Sequence, residues 1–300
     1  MSVLGIGITK VTSKFGLISR KASVRLATET GKKLVDKTNQ VGRALNKTEI
    51  EDVFVQTLPK RCRPKILTEK EQVKEYFRKL GMTDEMAEIQ MEYAAAGAVP
   101  NGMGKRSIYL PLQEMEGEIP SLSAHELEHA LEFNNTLKGK FGRRVLGLLV
   151  LPRLLFDKNF AVKMTKLREI ATELECKLQS AAFSDAEKLL ESAPTKENLA
   201  KILSADVKGG PDKIRQAIRE IISPINSATS KSEYAVSKRV LDMEIPAYKV
   251  GGEVERYAKG MGKNETSPSE VISMVYEEAR KILNEEQKFF LKNKKGGKLE

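Results

Sequence analysis

The 300-residue chain contains no tryptophan, and only 6% of its residues are aromatic, so a stacking platform for single-stranded nucleic acid has little support. Its two cysteines, Cys62 and Cys176, cannot form a disulfide framework for a chain of this size, which fits either a reducing compartment or simple indifference to redox conditions. The most apolar run, residues 145–151, is too short to span a bilayer. The first residues lack the pattern of a secretory signal. We therefore expect a cytoplasmic (intracellular) protein without a transmembrane segment.

Positive charge is concentrated at the N-terminus. Residues 1–48 contain ten basic and two acidic residues, which accounts for +8 of the formal net charge of +10. This composition is typical of a solvated, flexible arm. Two alternatives are an arm that contacts an anionic surface, either membrane or nucleic acid, and an organelle-targeting peptide.

The rest of the chain reads mainly as helix. A capping box at Thr68 to Glu71 begins one helix, and the Pro120–Ser123 stretch begins another that continues to about Phe133. Residues 107–112 predict a short strand, which Pro111 marks as an edge strand. We expect a mainly α (α+β) fold with a small antiparallel sheet. The predicted parts are a flexible arm (1–48), a core (49–204) and a C-terminal helical subdomain (205–300).

Both histidines of the chain lie in one motif, His125-Glu126-Leu127-Glu128-His129. Residues four apart share a face of a helix, so the two imidazoles can bind one metal ion, and neutral imidazole suits Zn²⁺. Glu126 lies about 100° around the helix, where its carboxylate can take a proton from a zinc-bound water. The motif therefore predicts that His125 and His129 are metal ligands and that Glu126 is the general base.

At these residues the chain resembles the zincin metallopeptidases, in which an edge strand before the HExxH helix binds the substrate backbone by strand addition. Residues 107–112 stand where that strand is expected. The longer motif of the metzincin branch is absent, because Glu132 and Asn135 occupy its glycine and third-histidine positions. The resemblance is therefore to the gluzincin branch, and it implies a zincin-like helical domain whose third zinc ligand is a glutamate on a downstream helix.

Three glutamates are candidates for this third ligand. Glu173 is favoured, because Cys176 follows at the offset where gluzincins carry a small packing residue. Glu169 and Glu244 remain alternatives, with Pro246 expected to disrupt the helix around Glu244. Tyr248 is a candidate donor to the oxyanion of the transition state.

The sequence predicts a zinc-dependent metallopeptidase that hydrolyses peptide bonds of a peptide or protein substrate, with Zn²⁺ as its cofactor. The alternative is a non-catalytic helical protein that docks on an anionic partner through its basic arm, with the HELEH motif vestigial or structural. Zinc content and cleavage of an unstructured substrate distinguish the two hypotheses.

Overall fold

A computed structural model of the chain describes a set of discontinuous ranges. They are residues 17–79, 84, 88, 97–100, 106–112, 118–139, 141, 157, 159–160, 162–163, 166–167, 169–178, 180, 216, 218–223, 231–262 and 264–296. The apolar run 145–151 lies outside these residues. In the described part of the chain, no helix is both long and apolar enough to cross a membrane.

The fold is mainly helical, as the sequence predicts. The principal helices are α1 (Arg20–Val41), α2 (Lys47–Thr57), α3 (Lys70–Lys79), α4 (Ile119–Asn135), α5 (Lys231–Ala258) and α6 (Pro268–Gly296). A 3-10 turn occupies Lys60–Cys62, and residues 169–178 and 218–223 are also helical. Three strands, β1 (Ile66–Leu67), β2 (Gly97–Pro100) and β3 (Arg106–Tyr109), form one small sheet.

The sheet differs from expectation in the position of its main strand. Strand β3 forms at the predicted place, but the strand order is β1-β3-β2, with β1 parallel and β2 antiparallel to β3. The amide of Ile108 donates to the carbonyl of Lys65 at 2.9 Å, and β2 pairs along the other side. The prediction of an edge strand at 107–112 is therefore wrong, because β1 supplies a second partner that two residues of sequence do not reveal. The outer strands of the described sheet are β1 and β2.

The chain divides into two compact units, Met1–Arg153 with Glu253–Gly260, and Leu154–Gly252 with Met261–Glu300. In the first unit, α1 buries Leu26, Ala27, Leu34 and Val35 at helical spacing. Ser19 caps its start, accepting from the amide of Ala22 at 3.1 Å. Residues 20–48 thus belong to the folded body, which differs from the flexible arm expected from their charge. The basic side chains of this helix are exposed or half-buried, whereas most of its apolar side chains are buried.

The second unit has its own apolar core. Residues from four helical segments meet there, including Leu174, Leu178, Ile218, Ile222, Leu241, Ile245, Val271, Val275 and Tyr276. The start of α6 is fixed by reciprocal bonds between Ser267 and Glu270, and the Ser267 hydroxyl donates to the carbonyl of Gly252 at 3.0 Å. A side chain at Gly252 would collide with Glu270, so only glycine permits this approach.

Helix α5 continues through Pro246, where the sequence predicts an interruption. A proline inside a helix lacks the amide donor and costs about 3 kcal/mol. Here Ile245, Ala247 and Val250 around it are all buried, and the carbonyl of Ile245 accepts from the Ser273 hydroxyl at 3.1 Å. Tertiary packing outweighs the local penalty, so Glu244 is presented by an intact helix.

Candidate metal centre

Helix α4 carries the HExxH motif and is largely buried. Its residues Ala124, Leu127, Ala130 and Leu131 are at most 1% exposed, and the helix packs against α1 and β3. Pro120 lies in the first turn, where backbone amides have no acceptor within the helix, so proline loses no hydrogen bond there. The motif therefore lies on a rigid element, which is the setting that a precise ligand arrangement requires.

The C-terminal end of α4 is tied to the sheet and to the N-terminal segment. The Asn134 side chain accepts from the amide of Arg106 at 2.8 Å and donates to its carbonyl at 2.9 Å. The amide of Ile18 donates to the carbonyl of Asn135 at 2.9 Å. The Arg106 guanidinium lies 4.5 Å from the centre of the Phe133 ring. These contacts fix the position of α4 along its axis.

The two imidazoles converge as the motif predicts. The Nε2 atoms of His125 and His129 are 3.2 Å apart, and the rings meet edge to face with centroids 4.9 Å apart. Two nitrogen ligands at the usual Zn–N distance of 2.0–2.1 Å, in tetrahedral geometry, lie about 3.3 Å from each other. The side chains are 12% and 6% exposed, which leaves little access for water. The separation of the two nitrogen atoms therefore matches that of two zinc ligands.

Glu126 lies beside this nitrogen pair. Its side chain is 9% exposed, and its Oε1 is 4.0 Å from Nε2 of His125. The carboxylate is too far from the nitrogen for a direct hydrogen bond. The sequence predicts Glu126 as the general base, and its place beside the nitrogen pair is compatible with that role.

Glu128 is a residue that the motif analysis gave no role. It is fully buried, with Oε1 3.5 Å from the Ser23 hydroxyl of α1 and Oε2 4.0 Å from Nδ1 of His129. Burial raises the pKa of its carboxyl to about 7, against a smaller opposing effect of His129. The sequence signal for such a residue is a charge on the apolar side of a helix.

The downstream carboxylates are in the second unit. Glu169 and Glu173 are exposed, and Glu173 pairs with Lys177 on the same helix. Leu174 and Leu178 face the core instead. Cys176 is also exposed, so it does not serve as the small packing residue on which the choice of Glu173 rested. Glu244 is half-buried on α5.

Tyr248 lies one turn after Glu244 on α5. Its ring stacks on that of Tyr276 with centroids 5.4 Å apart and an interplanar angle of 24°. The Tyr276 hydroxyl donates to the carbonyl of Glu175 at 3.3 Å, and burial raises the pKa of Tyr276 well above its usual value. Stacking thus fixes the ring plane of Tyr248, the candidate oxyanion donor.

Comparison with known proteins supplies no further guide to this site: no family model, curated protein or solved structure matches the chain.

Proposed function

We propose that the chain is a zinc-dependent peptidase in which His125 and His129 bind the metal and Glu126 is the general base. The observation that carries the proposal is the 3.2 Å separation of the two Nε2 atoms on a buried helix, with the Glu126 carboxylate 4.0 Å from one of them. The same separation also allows a hydrogen bond between the two rings without a metal, so zinc content distinguishes the two arrangements.

For the third ligand we favour Glu244 over Glu173 and Glu169. Support comes from the half-buried position of Glu244 on the intact helix α5. Glu173 is instead exposed and paired with Lys177. A catalytic zinc site has three protein ligands and one open position, so a single additional carboxylate completes the set.

Zinc held by these residues would supply a water activated at neutral pH, with a pKa of about 7, and would polarise a carbonyl group. The chain's own contribution is proton transfer and orientation. Glu126 accepts the proton from the attacking water and delivers it to the leaving amine. Its burial excludes bulk water, which would otherwise compete for that proton. Tyr248 is proposed to donate a hydrogen bond to the developing oxyanion.

The substrate backbone cannot pair with β3, because both edges of that strand are already bonded. If an extended peptide binds by strand addition, as in the zincins that the motif resembles, the strands available are β1 and β2, which are the outer ones. A peptide or unfolded protein is therefore the proposed substrate class.

Glu126→Gln is the variant that tests the catalytic assignment. An amide cannot accept the water's proton, so we expect hydrolysis of an unstructured protein such as casein to be lost while zinc still binds. Glu132→Gln is the matched control, because Glu132 lies on the same helix, is 8% exposed and has no proposed role in the reaction. Glu126→Gln protein that cleaves as fast as the parent would show that the assignment is wrong.

The third ligand is tested separately by zinc titration of the full chain. Glu244→Gln should weaken zinc binding by at least tenfold, whereas Glu173→Gln should bind zinc like the parent. His125→Ala should lose the metal. The reverse pattern, with binding weakened by Glu173→Gln alone, would restore the sequence-based choice.

A second function is favoured by the outer face of α1, where Lys21, Arg25 and Lys33 are exposed. We propose that this face can contact an anionic surface, either membrane or nucleic acid. Binding to anionic vesicles or to DNA should weaken as salt increases and should fall on substitution of Lys21 and Lys33 by Gln. If the parent protein binds the vesicles or the DNA but does not bind zinc, the non-catalytic hypothesis is favoured.

A further inference from the structure

The unusual residue of the motif is Glu128, a carboxylate without exposure in the middle of a packed helix. Within the described part of the chain, its Oε2 accepts no hydrogen bond. Its Oε1 has only a long contact of 3.5 Å with the Ser23 hydroxyl, which also donates to the carbonyl of Arg20 at 2.7 Å. Burying a carboxylate with so few hydrogen-bond donors costs free energy of folding. This cost suggests that the side chain has a further role.

The protonation of the two imidazoles suggests that role. A neutral imidazole has one N–H, and the nitrogen without hydrogen is the one that binds a metal. Because the two Nε2 atoms converge at 3.2 Å, both must be free of hydrogen when a metal binds. The proton of His129 is then on Nδ1, the atom that lies 4.0 Å from Oε2 of Glu128.

We propose that Glu128 is a positioning residue for His129: its carboxylate accepts a hydrogen bond from Nδ1–H and thereby selects the tautomer in which Nε2 carries no hydrogen and can bind the metal. This inference rests on the proposed metal site. A movement of about 1 Å would bring the two atoms to hydrogen-bond distance. Ser23 places the far side of the carboxylate against α1, so the N-terminal helix takes part in arranging the site.

Glu132 shows what a purely structural carboxylate looks like on the same helix. It lies one turn after Glu128, is 8% exposed, and its Oε1 is 3.7 Å from Nε of Arg20. Charge pairing accounts for its burial without reference to a histidine. Glu132 is therefore the matched control for the loss of a buried acidic group.

The test reads the tautomer of His129 directly in metal-free full-length protein. Nitrogen-15 correlation spectra of imidazoles distinguish Nδ1–H from Nε2–H, and with only two histidines in the chain the His125→Ala variant assigns the signals. At about pH 8, where imidazole is neutral, we expect Nδ1–H at His129 in the parent. Glu128→Gln should keep this tautomer, because its amide oxygen still accepts. Glu128→Met should shift it towards Nε2–H.

Zinc affinity provides the second measurement. Loss of such an orienting partner lowers metal affinity by about 10- to 100-fold, which we expect for Glu128→Met but not for Glu132→Met. The proposal is overturned if His129 is Nε2–H in the parent, or if Glu128→Met matches Glu132→Met in both tautomer and zinc affinity. If Glu128→Met does not fold, the parent and Glu128→Gln spectra decide. A parent that binds no zinc contradicts the proposed function, whereas the tautomer is measured without metal.

Discussion

Gly31 of α1 provides a sharp test of the packing behind the HExxH helix. A Cβ at this position would lie 2.5 Å from Cγ2 of Val254 and 2.7 Å from Cβ of Ala124. Contacts under 3.0 Å force a neighbour to move. Ala124 directly precedes His125, so the absence of a side chain at Gly31 permits the close approach of α1 to the helix that carries the motif.

The magnitude follows from two opposing effects of Gly31→Ala. Replacing a glycine in a helix interior by alanine stabilises by about 1 kcal/mol. Inserting a methyl group into a filled core destabilises by about 1–3 kcal/mol. We therefore expect a net loss of up to about 2 kcal/mol, which is opposite in sign to the change at an exposed helical glycine.

Urea denaturation of the full chain, followed by circular dichroism, measures this change. Val254→Ala removes the nearer clash, so the double variant should be more stable than the sum of the single changes by about 0.5–3 kcal/mol. The packing argument is refuted if Gly31→Ala stabilises the protein, or if the two substitutions are additive.

Three further predictions follow from the described contacts. Leu34→Ala should destabilise the protein by about 2–5 kcal/mol, because Leu34 is fully buried. Lys33→Ala, at the exposed neighbouring position, should change stability by less than about 0.5 kcal/mol. Equal effects of the two variants in urea denaturation would show that residues 20–41 form a flexible arm. Burial raises the pKa of Asp242, but hydrogen bonds, chiefly from Lys238, more than offset this and hold the pKa below 3.8. The stabilisation by the Asp242 carboxylate is therefore present above that pH and is lost as the pH falls through the lowered pKa. The parent should be more stable than Asp242→Asn by about 1 kcal/mol at neutral pH, and this difference should shrink in acid denaturation profiles. A difference that stays constant with pH would contradict the ion-pair argument. Tyr248→Phe should lower kcat by at least tenfold with little effect on KM, if its hydroxyl donates to the oxyanion; an unchanged kcat would leave Tyr248 only its stacking contact with Tyr276.

Local patterns predicted two of the principal helices and the meeting of the two histidines. The capping box at Thr68 to Glu71 and the helix start near Pro120 correspond to α3 and α4, and the spacing of His125 and His129 predicted that their rings would meet. These features depend on neighbours within one or two helical turns, which the sequence displays directly.

Features that depend on distant partners could not be predicted in the same way. The charge of residues 1–48 suggested an arm, because composition does not show that the apolar face of α1 has α4 to pack against. Strand β3 gained a second partner from the two-residue β1, and burial carried α5 through Pro246. The choice of Glu173 relied on Cys176 as a packing residue, but that side chain is exposed.

Titration of metal-free full-length protein with Zn²⁺ tests the central claim most directly. The account predicts one tightly bound zinc per chain, lost in His125→Ala and His129→Ala and retained in Glu126→Gln. Absence of stoichiometric binding by the parent, or binding that survives loss of both histidines, would contradict it.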